Sequence, residues 1–307
     1  MKRYNEVLSY FNSENSIDMD IERYISIREH DMDRGLKRIN GKDNALSSSG
    51  RFFKKNSESF LYLYGWKAFY RGLCDNDDLC SSIALNSMML FCDYKKNSEY
   101  TFSNDLFYQQ GIPLLLLIAT HRLDIARLCY PYFIQGLKSF DAAKTKKLKP
   151  QKMIVLAIEM LASEQKQTID WETFGIPSDR FYTQFVKEAL YTEDEALLKE
   201  WLTALCDNHL KWSARTETTE NEYARNGYEI EDQELLLWPF EYQAVKNFRA
   251  EHALSTPEID HPLLKTPLAI DHHPDFSRWN APEWFYTLLD KLIAINPELA
   301  FTKTLFK

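Results

Sequence analysis

Glycine is scarce in this chain, with only 9 among 307 residues. Tight β-hairpin turns need positive φ angles, which glycine adopts at the lowest steric cost. Helices joined by polar loops need fewer such positions. The scarcity of glycine therefore predicts a mainly α fold rather than a meander of hairpins.

Apolar residues recur at helical spacing along most of the chain, as they do in amphipathic and buried helices. The proline-containing residues 254–285 lack this spacing, so we predict extended and turning chain there. The sequence ALSSSG at 45–50 is predicted to be a loop. Helices are predicted at 17–39, 57–73, 81–94, 106–122, 123–140, 151–165, 181–191, 192–212, 235–253 and 282–295.

A lysine-rich stretch divides the predicted helices into two groups. Residues 141–152 carry five lysines and one aspartate and contain Pro150, a composition typical of a linker. We therefore predict a two-part, bundle-like α protein, with an N-terminal helical domain at 1–150 and an acidic helical domain at 151–307. Seven of the 11 prolines lie at or after residue 239, so the C-terminal part is predicted to include a proline-rich irregular segment.

The helix predicted at 192–212 begins with consecutive acids, Glu193, Asp194 and Glu195. Thr192 and Glu195 have the spacing of a capping box, which predicts Thr192 as the N-cap. Negative charge at a helix start also stabilises the positive end of the helix dipole. We therefore interpret these acids as structural rather than as a general acid and base.

The cysteines and the apolar segments give an expectation about compartment. The five cysteines form no CxxC pair and are predicted to be free thiols in a reducing environment. Residues 1–16 lack the apolar core of a secretory signal. The longest apolar run, 112–119, is too short to span a bilayer. We expect a cytoplasmic protein that does not bind a membrane.

Negative charge is concentrated late in the chain. The net charge is −8, yet residues 1–180 total +2 and residues 181–307 total −10. Phosphate backbones would be repelled by the acidic part, so nucleic-acid binding is not predicted there. The asymmetry suits either solubility or attraction of a cationic partner.

Motifs of common catalytic sites are missing from the sequence. There is no glycine-rich phosphate loop, no GxSxG and no HExxH, so we predict a protein without enzymatic activity, metal or cofactor. One alternative is a metal-dependent enzyme using a His- and Asp-rich loop, although adjacent histidines in extended chain point to opposite sides. A polar loop is the favoured interpretation of its residues, which are Asp260, His261, Asp271, His272, His273 and Asp275.

The stretch ENEYARNGYEIEDQE at 220–234 combines six acids with two tyrosines. Acids attract a basic partner over long range, whereas tyrosines supply contacts that survive desolvation. We therefore predict a partner-binding segment here, and a solvated loop is the alternative. The predicted partner-binding residues are Glu220, Glu222, Tyr223, Tyr228, Glu229, Glu231, Asp232 and Glu234.

Two segments that follow carry a resemblance to a known family. WPFEYQA at 238–244 and PEIDHPLLKTPLA at 257–269 resemble the C-terminal domain of bacterial immunity proteins against PoNe-type nuclease toxins. In that family a Trp-x-x-Glu-x-x-Ala pattern opens a helix, and the matching positions are Trp238, Glu241 and Ala244. The pattern implies that Trp238 and Glu241 hold this helix in place. A buried Glu241 would need a partner, such as Arg249 or a backbone N–H.

The resemblance implies an antidote to a secreted toxin. Such immunity proteins bind a cognate effector, often a nuclease delivered by type VI or contact-dependent secretion between competing bacteria. Residues 151–307 would form the immunity domain, and its acidic surface would cover the basic active site of the toxin. The alternative is a helical adaptor or scaffold protein without a toxin partner.

Overall fold

The computed structural model of the chain describes residues 1–14, 21–40, 45–94, 110–138, 149–214 and 226–307. The prediction of a mainly α protein is confirmed, because helices account for most of these residues. The described residues form no strand, and only isolated bridges join Gln151 to Ser178 and Ser213 to Ile230.

The α-helices and the short 3-10 helices alternate with irregular connections. The described α-helices are α1 (Lys2–Glu14), α2 (Ile21–Asn40), α3 (Ala45–Arg71), α4 (Asn76–Tyr94), α5 (Gly111–Ala119), α6 (Leu123–Lys138), α7 (Met153–Glu164), α8 (Arg180–Glu188), α9 (Glu195–Trp212), α10 (Phe240–Glu251) and α11 (Glu283–Ile295). The 3-10 helices are Gln233–Leu235, Pro262–Lys265, Phe276–Arg278 and Pro297–Thr304. The connection from α10 to α11 has no α-helix, as predicted for the proline-rich segment.

The chain forms two compact units, each assembled from two stretches. Unit 1 contains Met1–Asn15 and Thr101–His273, whereas unit 2 contains Ser16–Tyr100 and Pro274–Lys307. The predicted boundary at residue 150 therefore falls inside unit 1. Interleaved units depend on contacts between distant parts of the chain, which local composition does not reveal.

One such contact closes unit 1. Arg3 on α1 donates to the carbonyl oxygens of Leu210 (2.9 Å) and Ser213 (2.6 Å) at the end of α9. These carbonyls end a helix and have no intrahelical donor, so the guanidinium satisfies them. The N-terminal helix is thereby fastened to the acidic part of the chain.

Unit 2 is closed in a similar way. The side-chain amide of Asn76 donates to the carbonyl oxygen of Asp275 (3.0 Å), and the Asp275 N–H donates to the Asn76 side-chain oxygen (2.9 Å). Trp279 Nε1 donates to Ser81 Oγ at 3.1 Å. Both contacts fix the C-terminal stretch against α4.

Two local predictions about helix starts are wrong. The predicted loop at 45–50 belongs to α3, which begins at Ala45. The N-cap of α9 is Asp194, whose Oδ1 accepts from the N–H groups of Ala196 (3.0 Å) and Leu197 (3.1 Å). Thr192 instead accepts from the Asp194 N–H at 3.2 Å. Aspartate and threonine are both good caps, so the sequence alone did not separate them.

The short helix α5 lies at the centre of unit 1. Leu114, Leu115, Leu116, Leu117 and Ile118 are all buried. At Gly111 an added Cβ would lie 2.2 Å from the backbone nitrogen of Ile154, so only glycine permits this approach to α7. Asn247 on α10 donates to the Ile118 (3.2 Å) and Ala119 (2.8 Å) carbonyls and satisfies the end of α5.

Arg249 on α10 fixes the connection from α8 to α9. Its side chain is 1% exposed and donates to the carbonyl oxygens of Ala189, Leu190, Thr192 and Ser255. Burial lowers the pKa of this guanidinium, although the nearby Glu193 opposes the shift. Because five donors in a planar fork match these carbonyls, the segments around Thr192 and Ser255 are held side by side.

Unit 2 is built around the packed pair α3 and α4. Phe52 on α3 contacts Trp284 on α11 edge to face, with 5.7 Å between ring centroids. Phe91 on α4 makes a similar contact with Phe301 at 5.0 Å. Such aromatic pairs add to the stabilisation from buried area.

Across the parts of the chain that the structure describes, no helix combines the length and apolarity needed to cross a bilayer.

Candidate functional site

The predicted partner-binding residues divide into three groups by position. Glu220, Glu222 and Tyr223 lie outside the described residues. Glu231 and Asp232 are exposed, and Tyr228 is half-buried. Glu234 is buried, and Glu229 keeps only 10% of its side chain exposed. Among the members of this set that the structure describes, Glu231 and Asp232 are exposed and Tyr228 is partly so, whereas Glu229 and Glu234 are largely enclosed.

Glu229 is bonded to the start of α7. Its Oε1 accepts from the Lys152 N–H (3.0 Å), and its Oε2 accepts from the Met153 N–H (2.9 Å). The first amides of a helix have no partner within the helix, and a carboxylate there also meets the positive end of the helix dipole. Burial raises the pKa of Glu229, opposed by Lys152 and these amides.

The buried side chain of Lys152 also binds Glu229. Its ammonium donates to the carbonyl oxygens of Pro150 (2.7 Å) and Gly227 (2.8 Å) and to Glu229 Oε1 (3.3 Å). It also lies 4.1 Å from the centroid of the Trp212 ring, a cation–π distance. Sequence reasoning missed this residue because it interpreted the lysine run as a solvated linker.

A signal in the sequence could have indicated this site. The residues before α7 are Gln151 and Lys152, and the N-cap position has no side-chain bond to the helix. A buried apolar helix without Ser, Thr, Asp or Asn at its start needs an acceptor from elsewhere. An acid from a distant acidic segment is the natural candidate.

We refer to residues 226–235 as the strap. Its middle residue, Ile230, is fully buried and pairs with the end of α9, where the Ala214 N–H donates to the Ile230 carbonyl at 2.7 Å. Gly227 has φ +74°, and an added Cβ would lie 3.1 Å from Lys149 Cβ. The strap is therefore tied down at Gly227, Glu229 and Ile230, and it presents Glu231 and Asp232 outward.

The residues of the Trp-x-x-Glu-x-x-Ala pattern are all buried. Trp238 Nε1 donates to Gln243 Oε1 (2.6 Å), and its ring lies against His272 with 4.2 Å between centroids. Ala244 has no exposed surface. Burial lowers the pKa of His272 to about 4. These contacts hold the start of α10 against residues 268–272.

Glu241 pairs with His209, whereas Arg249, one of the two kinds of partner suggested from the sequence, binds carbonyl oxygens instead. Glu241 Oε2 lies 2.6 Å from His209 Nδ1, and His209 Nε2 lies 3.1 Å from the Leu236 carbonyl oxygen. A carbonyl only accepts, so Nε2 carries a hydrogen. Both nitrogens of the His209 ring therefore have a hydrogen-bond partner, which favours burial of the ring between α9 and α10.

A different set of acids is exposed just before α9, on α9 and on the segment after α10. We call Glu193, Glu200, Asp207, Glu258 and Asp260 the acidic face, and all five are exposed. Glu200 and Asp207 are seven residues apart, which places them on one side of the helix after two turns.

Two contacts bring the residues of the acidic face together. Arg249 Nη2 donates to the Thr192 and Ser255 carbonyl oxygens at 2.9 Å and 2.6 Å, and His261 Nε2 lies 3.3 Å from Asp207 Oδ1. The helix from Glu195 to Asp207 is about 18 Å long at 1.5 Å per residue. Extended chain from Ser255 to His261 covers roughly 20 Å. Residues 255–261 therefore run close to α9 between these two contacts, and this segment carries the exposed acids Glu258 and Asp260.

The histidines of the alternative metal loop occupy separate environments. His261 faces Asp207, His272 lies 2.9 Å from the Leu268 carbonyl oxygen, and His273 packs against His121. Among the described residues, no group of three or more His, Cys, Asp or Glu side chains has an arrangement that could hold a metal ion.

Unit 2 contains a cavity of about 710 Å³ beside the end of α3. Its wall includes Trp66, Leu73, Cys74 and an ion pair. Lys67 Nζ lies 2.6 Å from carboxylate oxygens of both Asp75 and Asp78. The positive charge of Lys67 is thus paired with two aspartates of the same unit.

The two units differ in net charge. The acidic and basic residues of unit 2 balance, so the whole net charge of −8 belongs to unit 1. The acidic face and the outward side of the strap are both parts of this unit.

Comparison with known proteins gave no match for the chain among family models, curated proteins or solved structures.

Proposed function

We propose that the protein is a non-enzymatic inhibitor that binds a basic protein partner through the acidic face of unit 1. The observation that carries this proposal is the placement of Glu193, Glu200, Asp207, Glu258 and Asp260. These acids are all exposed, and they lie just before α9, on α9 and on the segment that runs close to it, within the unit that holds all of the net charge. Asp260 also pairs with Lys265, so its contribution to the face is the weakest.

The physics of association favours a cationic partner. Opposite potentials attract over a distance of roughly 8–10 Å at physiological salt and raise the association rate. Charges at the rim of an interface affect rate and register more than affinity. Tyr228, beside the outward acids of the strap, supplies an aromatic side chain of the kind that anchors interfaces.

The resemblance supports a partner of a particular class. Trp238 precedes α10, and Glu241 and Ala244 lie within it. The contacts of Trp238 and Glu241 join α10 to His272 and to α9. A nuclease active site is basic because it holds phosphates. An acidic surface that covers such a site competes with the nucleic acid, so the proposed partner is a nuclease toxin.

Co-expression with the product of the neighbouring gene tests this proposal. Immunity genes lie beside the genes of their toxins, so we expect the wild-type protein to protect cells from the neighbouring product. The variant Glu200→Lys/Glu258→Lys should lose protection. The variant Glu29→Lys/Glu172→Lys makes the same change in net charge at other exposed acids and should protect fully.

Three outcomes separate the alternatives. Protection lost only in the acidic-face variant supports the proposal. Protection retained in that variant contradicts the acidic-face mechanism, even with a toxin partner. A neighbouring product that is harmless or unaffected contradicts the immunity function and favours the adaptor or scaffold alternative.

The strap has its own test. Reversing all four acids, Glu229, Glu231, Asp232 and Glu234, would disturb the fold, because Glu229 and Glu234 are buried. The informative variant is Glu231→Lys/Asp232→Lys, since both side chains are exposed. Loss of protection with unchanged thermal stability would support a strap contact, and full protection would remove the strap from the interface.

A further inference from the structure

We propose that Lys152 is a positioning residue that fixes the strap in one conformation for recognition of the partner. The inference rests on the proposed function for its biological role. Lys152 itself is 1% exposed, so it makes no contact with any partner. It acts through the strap, whose outward side chains are Tyr228, Glu231 and Asp232.

The ammonium of Lys152 joins three parts of unit 1. Its three hydrogen bonds go to Pro150, which precedes α7, and to Gly227 and Glu229 on the strap. The ring of Trp212 at the end of α9 covers it at 4.1 Å. An ammonium has three N–H donors, so every one has an acceptor. One side chain thus fixes the strap relative to both helices.

The strap bonds to this site at successive positions. The Gly227 carbonyl and the Glu229 carboxylate bind Lys152, and the Glu229 and Ile230 N–H groups both donate to the Trp212 carbonyl oxygen at 3.2 Å. Gly227 adopts φ +74°, and Lys152 Nζ lies 3.3 Å from the position of an added Cβ. The backbone on both sides of Tyr228 is therefore anchored.

A buried lysine is a poor choice for stability alone. Desolvation of two charges offsets much of their attraction, and apolar residues of similar volume often replace buried ion pairs without loss. An ion pair specifies geometry better than an apolar contact, because it requires each donor to meet its acceptor. A prearranged surface also loses less conformational entropy on binding. These considerations favour a role in positioning.

The decisive variant is Lys152→Met, which keeps the volume and removes the ammonium. The matched control is Asn247→Ala, which leaves the end of α5 without its side-chain donor and destabilises the same unit away from the strap. Both variants are compared with wild type by hydrogen exchange at temperatures equally far below their unfolding midpoints. A general loss of stability would affect the two variants alike.

We expect exchange of the Glu229 and Ile230 amides to rise about tenfold or more in Lys152→Met and to stay within about twofold in Asn247→Ala. Equal protection of these amides in the two variants would overturn the positioning role. If Lys152→Met does not fold, Glu229→Gln serves in its place, because the amide side chain keeps one acceptor for α7 and weakens the bond to the ammonium.

A binding measurement tests recognition separately, with the inactivated product of the neighbouring gene as the probe. We expect about a tenfold weaker affinity for Lys152→Met and an unchanged affinity for Asn247→Ala. Faster strap exchange with unchanged affinity would overturn the recognition role. A wild-type protein that binds no such probe would overturn the proposed function, while the exchange data would still decide whether Lys152 fixes the strap.

Discussion

The strap and the acidic face are both rich in acids, yet their acids have opposite environments. In the strap, Glu229 caps α7 and pairs with a buried lysine, and Glu234 is buried. In the acidic face, Glu193 is exposed just before α9, and Glu200 and Asp207 are exposed along it. Similar composition therefore has two different uses within one unit.

The difference follows from which donors are satisfied locally. The first amides of α9 are bonded by Asp194 at its own N-cap, so the following acids are not required by the helix. The start of α7 has no local acceptor, so it recruits Glu229 from a distant segment. Density of acids alone does not distinguish an exposed acidic surface from an internal cap.

The largest expected effect comes from removing the internal cap. Glu229→Leu leaves the Lys152 ammonium buried without its carboxylate and two helix amides without acceptors, so we expect a loss of about 3–5 kcal/mol in the free energy of unfolding. Glu200→Leu, on the acidic face, should change it by no more than about 0.5 kcal/mol. Urea unfolding of both variants measures the contrast. Similar values for the two would contradict the assigned roles.

A smaller effect is expected at Gly227, the second residue of the strap. Gly227→Ala forces a Cβ into the left-handed region at φ +74° and to 3.1 Å from Lys149 Cβ, and we expect a loss of about 2 kcal/mol. Gly72 in unit 2 has φ +63° with no atom within 4 Å of an added Cβ. Gly72→Ala should therefore cost only about 1 kcal/mol. Thermal unfolding distinguishes crowding at the strap from the cost of the φ angle.

The smallest effect on stability is the pH dependence due to Glu229. It is small because Lys152 and two backbone amides oppose the rise in the pKa of Glu229 that burial causes. Burial raises the pKa of Glu229 above its ordinary value of 4.5. Glu229 therefore stabilises the fold through its protonated form. This contribution to the free energy of unfolding is complete below pH 4.5 and is lost as pH rises through the folded-state pKa. Relative to Glu229→Gln, the wild-type protein should therefore lose stability over this window. A constant difference between the two proteins would contradict the raised pKa.

Much of the helical framework follows from the sequence, and its assembly does not. Helical spacing predicts α9 and α10 close to their observed ranges, since most of their apolar residues pack into the core. The loop predicted at 45–50 is wrong because serines allow both a loop and a helix, and the choice depends on packing of the rest of α3. The division into units depends on contacts such as Arg3 with Leu210.

The candidate site shows the same limit. The sequence shows the excess of acidic residues after residue 180. It does not show which of these residues are exposed and which are buried. His209 and Glu241 lie 32 residues apart, and Lys152 and Glu229 lie 77 apart. No periodic pattern links such pairs. The missing cap at α7 indicates that a partner is needed without identifying Glu229.

The central claim is that the acidic face attracts the partner, and the association rate constant tests it most directly. The wild-type protein, Glu200→Lys/Glu258→Lys and Glu29→Lys/Glu172→Lys are mixed with the inactivated product of the neighbouring gene over a range of salt concentrations. We predict that only the acidic-face variant associates about tenfold more slowly at low salt, and that the difference shrinks as salt screens the charges. Equal rate constants for the two variants would contradict the account.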